Sequence, residues 1–241
     1  METTIVIPVK NEQKPLTMLL PQIREKHPDL TVVVADNGST DDSTGVAKQF
    51  AHVVLDCGHY QGKPQIIKYF FSLIHYSNGQ IIIFDGDGQH PVDAIERMLL
   101  EASSHPGRII KGTRFSHING YTVPQERMDL CRKSVCFIQE HRGVAFTDPQ
   151  CGLMLIPAGM VKDFSGELQF DGPSWELELI MYLTAKGKGN LIHEMSIPPL
   201  YTDLLGEKQQ KKYAQTSEAV AERNARIDRH LAFLQKCLHR W

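Results

Sequence analysis

Two carboxylates stand one glycine apart in "FDGDGQHP", residues 84–91. They follow Ile81, Ile82 and Ile83, an apolar run typical of a strand buried on both faces. Strand side chains alternate in direction, so Asp85 and Asp87 can face one space. Two carboxylates facing one space repel unless a cation sits between them. Hard oxygen ligands favour Mg2+ or Mn2+, and Mg2+ completes its shell with water and phosphate oxygens. The Asp-Gly-Asp spacing therefore predicts a divalent ion carrying a diphosphate. The competing reading is a solvated turn, because D-G-D-G is also ordinary turn sequence.

The elements around this motif alternate. Strands are predicted over 4–9, 30–36, 52–56, 80–85 and 108–112. Helices are predicted over 15–27, 40–50, 63–77 and 91–104. This order predicts an α/β fold, a doubly wound and mostly parallel sheet with helices on both faces. Ligands of such sheets bind beyond the carboxyl ends of the strands. Polar residues gather there: Pro8 to Glu12, Asp36 to Ser39, Asp85 to Gln89, and Arg114. Beyond residue 115 a loop and a helix are expected to 147, then a turn into a strand over 148–157. A helix over 174–187, a strand over 190–198 and a long polar helix from about 208 follow. With no repeat or clear linker, residues 1–241 read as one domain. It divides at about 115, and a C-terminal amphipathic helix occupies about 206–241.

The totals set bounds. A net charge of −2 over 241 residues implies no pull toward nucleic acid. Five cysteines, at 57, 131, 136, 151 and 237, form no C-x-x-C pair and read as reduced thiols, so a cytoplasmic location is expected. No secretory signal and no span-length apolar run is read in the chain. A lipid substrate would be met from the water side.

The tail carries a stripe at Val220, Ile227, Leu231, Leu234, Leu238 and Trp241. From 207 to 241 there are eight Lys or Arg and four Asp or Glu. The stripe predicts packing on the domain or on a second subunit, making a homodimer. A basic amphipathic helix lying on an anionic membrane face is the alternative.

Six stretches occur in order: "IVIPVKNE" (5–12), "VVVADNGSTDDS" (32–43), "GK" (62–63), "IIIFDGDGQHP" (81–91), "GTRF" (112–115) and "DPQCGLML" (148–155). Together they resemble a family 2 glycosyltransferase of the GT-A fold, most of all the dolichol- or polyprenyl-phosphate mannose and glucose synthases. The resemblance spans roughly residues 3–205. It implies a nucleotide-sugar-binding half followed by an acceptor half. It implies that Pro8 and Glu12 line the nucleotide pocket and that Asp36 accepts a hydrogen bond from the base. Lys63 would lie near the phosphates. Asp85 and Asp87 would hold the metal, with Gln89 in support, and Arg114 would face phosphate. Arg132 and Ser134 in "CRKS" match a stretch that helps bind an acceptor phosphate. Glu178 and Glu194 match acidic positions of the family and read equally as helix or loop anchors. Asp148 reads equally as a turn residue or a substrate contact.

The family inverts the sugar carbon by direct displacement. A hydroxyl acceptor needs a general base, whereas a phosphate acceptor already carries its charge. Many hydroxyl-using members resembling this chain carry Glu-Asp at the start of a late helix. This chain has "WELE" instead, with Glu176 and Glu178. That difference and the Arg132–Ser134 match favour a phosphate acceptor such as polyprenyl phosphate. A glycan hydroxyl is the alternative, with Asp148, Asp171 and Glu176 as candidate bases. Against the lipid-phosphate reading, Leu204 stands near an expected arginine in "YTDLLGEKQQKK" (201–212). A nucleotidyltransferase is disfavoured because "PVKNEQK" lacks a glycine-rich loop. A non-catalytic nucleotide-sugar or carbohydrate-binding module is the remaining alternative.

Overall fold

The computed structural model describes residues 2–74, 79–115, 125–198, 200 and 216–241. The stretch 201–212, with Leu204, lies outside them. Seven strands form one sheet: β1 (Thr3–Val9), β2 (Thr31–Asp36), β3 (Val53–Asp56), β4 (Gln80–Ile83), β5 (Ile109–Thr113), β6 (Met154–Pro157) and β7 (Ile192–Ser196). Their order is β3-β2-β1-β4-β6-β5-β7. Every pairing is parallel except those of β6, which runs antiparallel to β4 and β5. The mostly parallel α/β sheet expected from the sequence is present.

Alternation along the strands builds two cores. Val6, Val33, Ile81, Ile83 and Met154 face one side, with α3 (Lys63–Leu73), α6 (Ala158–Phe164) and α7 (Trp175–Ala185). Ile5, Ile7, Val32, Val34, Ile82 and Leu155 face the other, with α1 (Gln13–Lys26), α2 (Ser43–Phe50) and α4 (Asp93–Ser104). Helix α5 (Gln125–Arg142) adds Ile138 to the first core. The predicted elements are found with shifted ends, and α6 was not anticipated. It follows β6 directly, with no loop of its own to announce it.

The antiparallel β6 has a positional consequence. The parallel strands β1, β2, β4 and β5 end on one edge of the sheet. Because β6 runs the other way, the loop before it arrives at that same edge. Ile83 pairs with Met154, so the residues beyond Ile83 meet those before Met154.

The C-terminal helix α8 (Ser217–Arg240) packs on α5 and α7. Its buried residues are Arg223, Ile227, His230, Phe233, Leu234 and Cys237. This face is rotated from the apolar stripe read in the sequence, and Val220 is exposed. Leu231, Leu238 and Trp241 pack at the margin of the core. Most of the stripe is therefore covered by the chain itself. Polar contacts seat the helix as well. Arg240 Nη1 meets the fully buried Glu178 at 2.6 Å, and Lys236 meets Asp171 at 2.6 Å. Glu178 also accepts from the backbone N–H groups of Gln169 and Phe170, so it is a loop anchor. A Cβ built on Gly172 would fall on the Phe233 ring, which fills the space that this glycine leaves open.

Phe233 is 5% exposed, and its removal leaves a cavity between α8 and the segment before α7. Phe233→Ala is expected to destabilise the fold by about 3 kcal/mol or more. Urea unfolding followed by circular dichroism measures it.

Candidate active site

The strand ends are joined before any side chain reaches the centre. The segment after β1 and the segment after β2 are tied by hydrogen bonds. Thr40 N donates to Asn11 Oδ1 at 2.7 Å, Glu12 N to Ser43 Oγ at 2.9 Å and Gln13 N to Asp41 Oδ2 at 3.1 Å. The last two satisfy donors at the start of α1 that have no partner inside the helix. Glu12 is thereby held buried at the carboxyl edge of the sheet.

Asp36 ends β2. Its Oδ1 accepts from Ser39 Oγ at 2.5 Å and its Oδ2 from Thr44 Oγ1 at 2.5 Å. Oδ1 accepts from Ser39 N as well, at 3.2 Å, so only Oδ2 keeps a second lone pair. Next to it, Asn37 donates to the carbonyls of Cys57 and Tyr60, both at 2.8 Å.

Lys63 opens α3. The residue before it, Gly62, has φ +83°, a conformation that strains any residue with a side chain. The turn aims Lys63 Nζ at two carboxylates, Asp85 Oδ1 at 2.6 Å and Glu176 Oε1 at 2.8 Å. Ser174, the cap of α7, donates to Glu176 Oε2 at 2.9 Å. His90 Nε2 stands 3.2 Å from Asp85 Oδ2. Buried His90 Nδ1 has no hydrogen-bond partner, so the neutral ring with its proton on Nε2 leaves no N–H orphaned. His90 is a support for Asp85.

Charge sets the protonation of this group. Burial pulls the Lys63 ammonium down, but Asp85 and Glu176 outweigh it and raise its pKa above the ordinary 10.5. Burial pushes Asp85 up, but Lys63 and then His90 outweigh it and hold the carboxyl well below its ordinary range.

Lys63, Asp85, Ser174 and Glu176 share a cavity of about 400 Å3. Its lining includes Pro8, Glu12, Asn37, Lys63, Asp85 and Asp87, together with Glu176. Asp87 Oδ1 accepts from Gln89 N at 3.1 Å. The donor set fits a hard divalent cation, with two carboxylates on one cavity and Asp85 held ionised. Gln89 itself is 2% exposed and is not on the cavity wall, so its expected metal contact is replaced by backbone support of Asp87.

A residue that the sequence reading did not single out completes the centre. A Cβ built on Gly152 would fall on Asp85 Oδ2 and Lys63 Nζ. The glycine leaves room for the ion pair. Its loop is fixed from beneath by buried charge. Lys111 Nζ, fully buried, donates to the carbonyls of Asp148 and Cys151 at 2.7 and 2.9 Å. Glu194 accepts from the N–H groups of Thr147 and Asp148 at 2.8 and 3.1 Å, so it too is a loop anchor.

Several expected site residues stand elsewhere. Arg114 makes a two-pronged contact with Asp148, Nε to Oδ2 at 2.6 Å and Nη2 to Oδ1 at 2.9 Å. Both are buried and neither lines the cavity, so an open phosphate contact for Arg114 and a substrate contact for Asp148 are corrected to a structural pair. Burial raises the Asp148 carboxyl, but the Arg114 charge and hydrogen bonds outweigh that and hold it low. Arg132 is exposed on α5, and Ser134 is buried with its hydroxyl on the Leu130 carbonyl at 3.0 Å. Neither lines the cavity, whereas Arg127 and Leu130 of the same helix do. Asp171 is paired with Lys236 outside it. Two further lining residues, Arg226 and His230, come from α8.

A different cluster lies at the opposite edge of the sheet. Glu101, His105 and His193 bring three metal-capable atoms within 4.8 Å of one another, with the two rings stacked at 3.8 Å. It is separate from the acids at the strand ends.

Comparison with known proteins agrees with this geometry. The profile of glycosyl transferase family 2 matches residues 4–155, and the chain belongs to that family. An uncharacterized protein of Methanocaldococcus jannaschii is 27% identical over 210 residues, covering 82% of this chain and 88% of that protein. The 4,4'-diaponeurosporenoate glycosyltransferase of Staphylococcus aureus is 30% identical over 89 residues, covering 35% of this chain and 23% of that enzyme. Among solved structures, glucosyl-3-phosphoglycerate synthase from Mycobacterium tuberculosis shares the fold. Its complex with Mn2+, UDP and glucosyl-3-phosphoglycerate superposes with a TM-score of 0.64 at 16% identity, covering 92% of this chain and 79% of that one. The GT-A α/β fold expected from the sequence is thus the fold observed.

Asp148→Asn leaves the Arg114 charge buried without its carboxylate and is expected to lose about 3–5 kcal/mol near pH 7. The pH dependence has a defined sign. The folded pKa of Asp148 is depressed, so its stabilisation is present above the ordinary carboxylate pKa and is lost as pH falls toward the folded value. The stability gap between wild type and variant should therefore narrow as pH drops below about 4. Unfolding free energies compared between pH 3 and pH 7, by urea titration, test both statements.

Proposed function

We propose that this protein is a metal-dependent inverting glycosyltransferase that moves a hexose from a nucleotide diphosphate sugar to a phosphate-bearing acceptor. The observation that carries this is the convergence of Pro8, Glu12, Asn37, Lys63, Asp85 and Asp87 on one cavity at the strand ends. Its volume of about 400 Å3 falls in the range of small-molecule sites. UDP is favoured over GDP by the likeness to a fold that holds UDP and Mn2+ in the mycobacterial enzyme.

In this reading Pro8 and Glu12 line the nucleotide pocket, and Asp36 accepts from the base through the lone pair left on Oδ2. Asp85 and Asp87 hold Mn2+ or Mg2+, which when bound supplies charge stabilisation to the departing diphosphate. Lys63 adds positive charge beside it. The sugar carbon and the leaving oxygen separate while the acceptor oxygen enters from the opposite face.

Arg127 and Arg226 on the same cavity give it positive charge that suits an acceptor phosphate. Polyprenyl phosphate meets that requirement, and so does a small phosphorylated hydroxy compound. Among the described residues no helix is long and apolar enough to cross a membrane. All five cysteines are free, which supports the cytoplasm as the place of action.

Calorimetric titration with UDP, GDP, UDP-glucose and GDP-mannose, with and without Mn2+, tests the donor side. The expected outcome is Mn2+-dependent binding of UDP and UDP-glucose, weakened at least tenfold in Asp87→Ala. Binding of no nucleotide under any condition would overturn the reading.

A further inference from the structure

The displacement chemistry above leaves the acceptor proton without a destination. The carboxylates named for that task from the sequence are all engaged. Glu176 is held by Lys63 and Ser174, Asp148 by Arg114, and Asp171 by Lys236. Taking a proton at any of them would strip a cation of its partner.

His230 is placed differently. It lines the cavity beside Arg226, and its side chain is carried by a helix seated through Phe233, Lys236 and Arg240. His230 Nδ1 lies 2.7 Å from the carbonyl oxygen of Arg226, one turn earlier. A carbonyl only accepts, so Nδ1 carries the hydrogen. In the neutral ring the lone pair then sits on Nε2. The backbone contact thus fixes the tautomer that a general base needs.

The surroundings favour the neutral ring. Burial is the largest effect on His230 and lowers its pKa from the ordinary 6.5. The hydrogen bond to the Arg226 carbonyl opposes it, the Arg226 charge lowers the pKa further, Glu176 on α7 raises it and Arg127 on α5 lowers it, with a net shift downward.

We propose that His230 is the general base of the transfer and that the acceptor nucleophile is a hydroxyl on an anionic compound, its negative group facing Arg127 and Arg226. This rests on the glycosyltransferase reading. The acceptor O–H gives its proton to His230 Nε2. Its oxygen forms the new bond to the sugar carbon, and the bond from that carbon to the diphosphate oxygen breaks. The electron pair leaves with the diphosphate, and the imidazolium returns its proton to water.

UDP-glucose hydrolysis tests this without knowledge of the acceptor, because water is then the nucleophile and needs the same base. UDP release is measured from pH 5 to 9 with Mn2+ for the wild type, His230→Gln and His230→Asn, alongside calorimetry with UDP. The expected result is a rate reduced about 10²-fold or more in both variants, with UDP affinity within twofold of wild type. The wild-type rate should fall on the acid side, below an apparent pKa under 6.5, and the variants should lack that limb. Addition of 3-phosphoglycerate or glycerol 3-phosphate should accelerate wild-type UDP release and leave the variants slow. Intact UDP binding with an unchanged rate or unchanged acid limb would overturn the proposal. So would UDP binding with no release by the wild type. Equal acceleration of wild type and variants by polyprenyl phosphate would overturn it in favour of a phosphate nucleophile. Loss of UDP affinity in both variants would assign His230 to the donor instead. Failure of the wild type to bind UDP would remove the underlying reading and this proposal with it.

Discussion

The contact between Lys63 and Asp85 is the constraint on which the rest of the centre depends. Neither charge is stable there alone, because both are largely withdrawn from water. Lys63 requires Asp85 and Glu176, Asp85 requires Lys63 and His90, and Glu176 requires Lys63 and Ser174. These groups come from the start of α3, the segment after β4 and the start of α7. The network closes only when the sheet and both helices are assembled. It then presents carboxylates and an ammonium on one cavity, the pattern that a cation and a diphosphate complement.

A second set of charges, buried at Lys111, Arg114 and Asp148, keeps that contact possible. Lys111, Arg114, Asp148 and Glu194 pin the loop before β6, and that loop brings Gly152 up to the ion pair. The antiparallel direction of β6 delivers the loop to the correct edge of the sheet. Arg114 and Asp148 therefore serve the site by holding the surface under it. Their full burial explains why a polar pair at a strand end need not touch a ligand.

One wall of the cavity depends on α8. Its seat on α5 and α7 is made by shape at Phe233 and Gly172 and by charge at Glu178 and Asp171. The same docking covers most of the apolar residues that, on an isolated helix, would suit a membrane surface. It also sets Arg226 and His230 on the cavity. The family profile ends at residue 155, well before this helix begins, so the part of the cavity wall that Arg226 and His230 supply lies outside the match.

Read alone, the sequence determined the sheet, the direction of most of its strands and the residues that line the cavity at the strand ends. Strand and helix periods are local, and in a parallel sheet the strand ends fall on one edge without further information. Pro8, Glu12, Lys63, Asp85 and Asp87 could be found because they lie at or just beyond such ends. The tertiary structure alone decided the places of Gly152, Lys111, Arg127, Arg226 and His230. Each depends on a partner far along the chain: Gly152 on Lys63 and Asp85, Lys111 on a loop some forty residues later, His230 on the rotation of α8. The same limit explains Arg132 and Ser134, which lie on α5 but outside the cavity. A helix displays every side chain to its sequence neighbours alike, and only the packing of other elements decides which of them face the substrate.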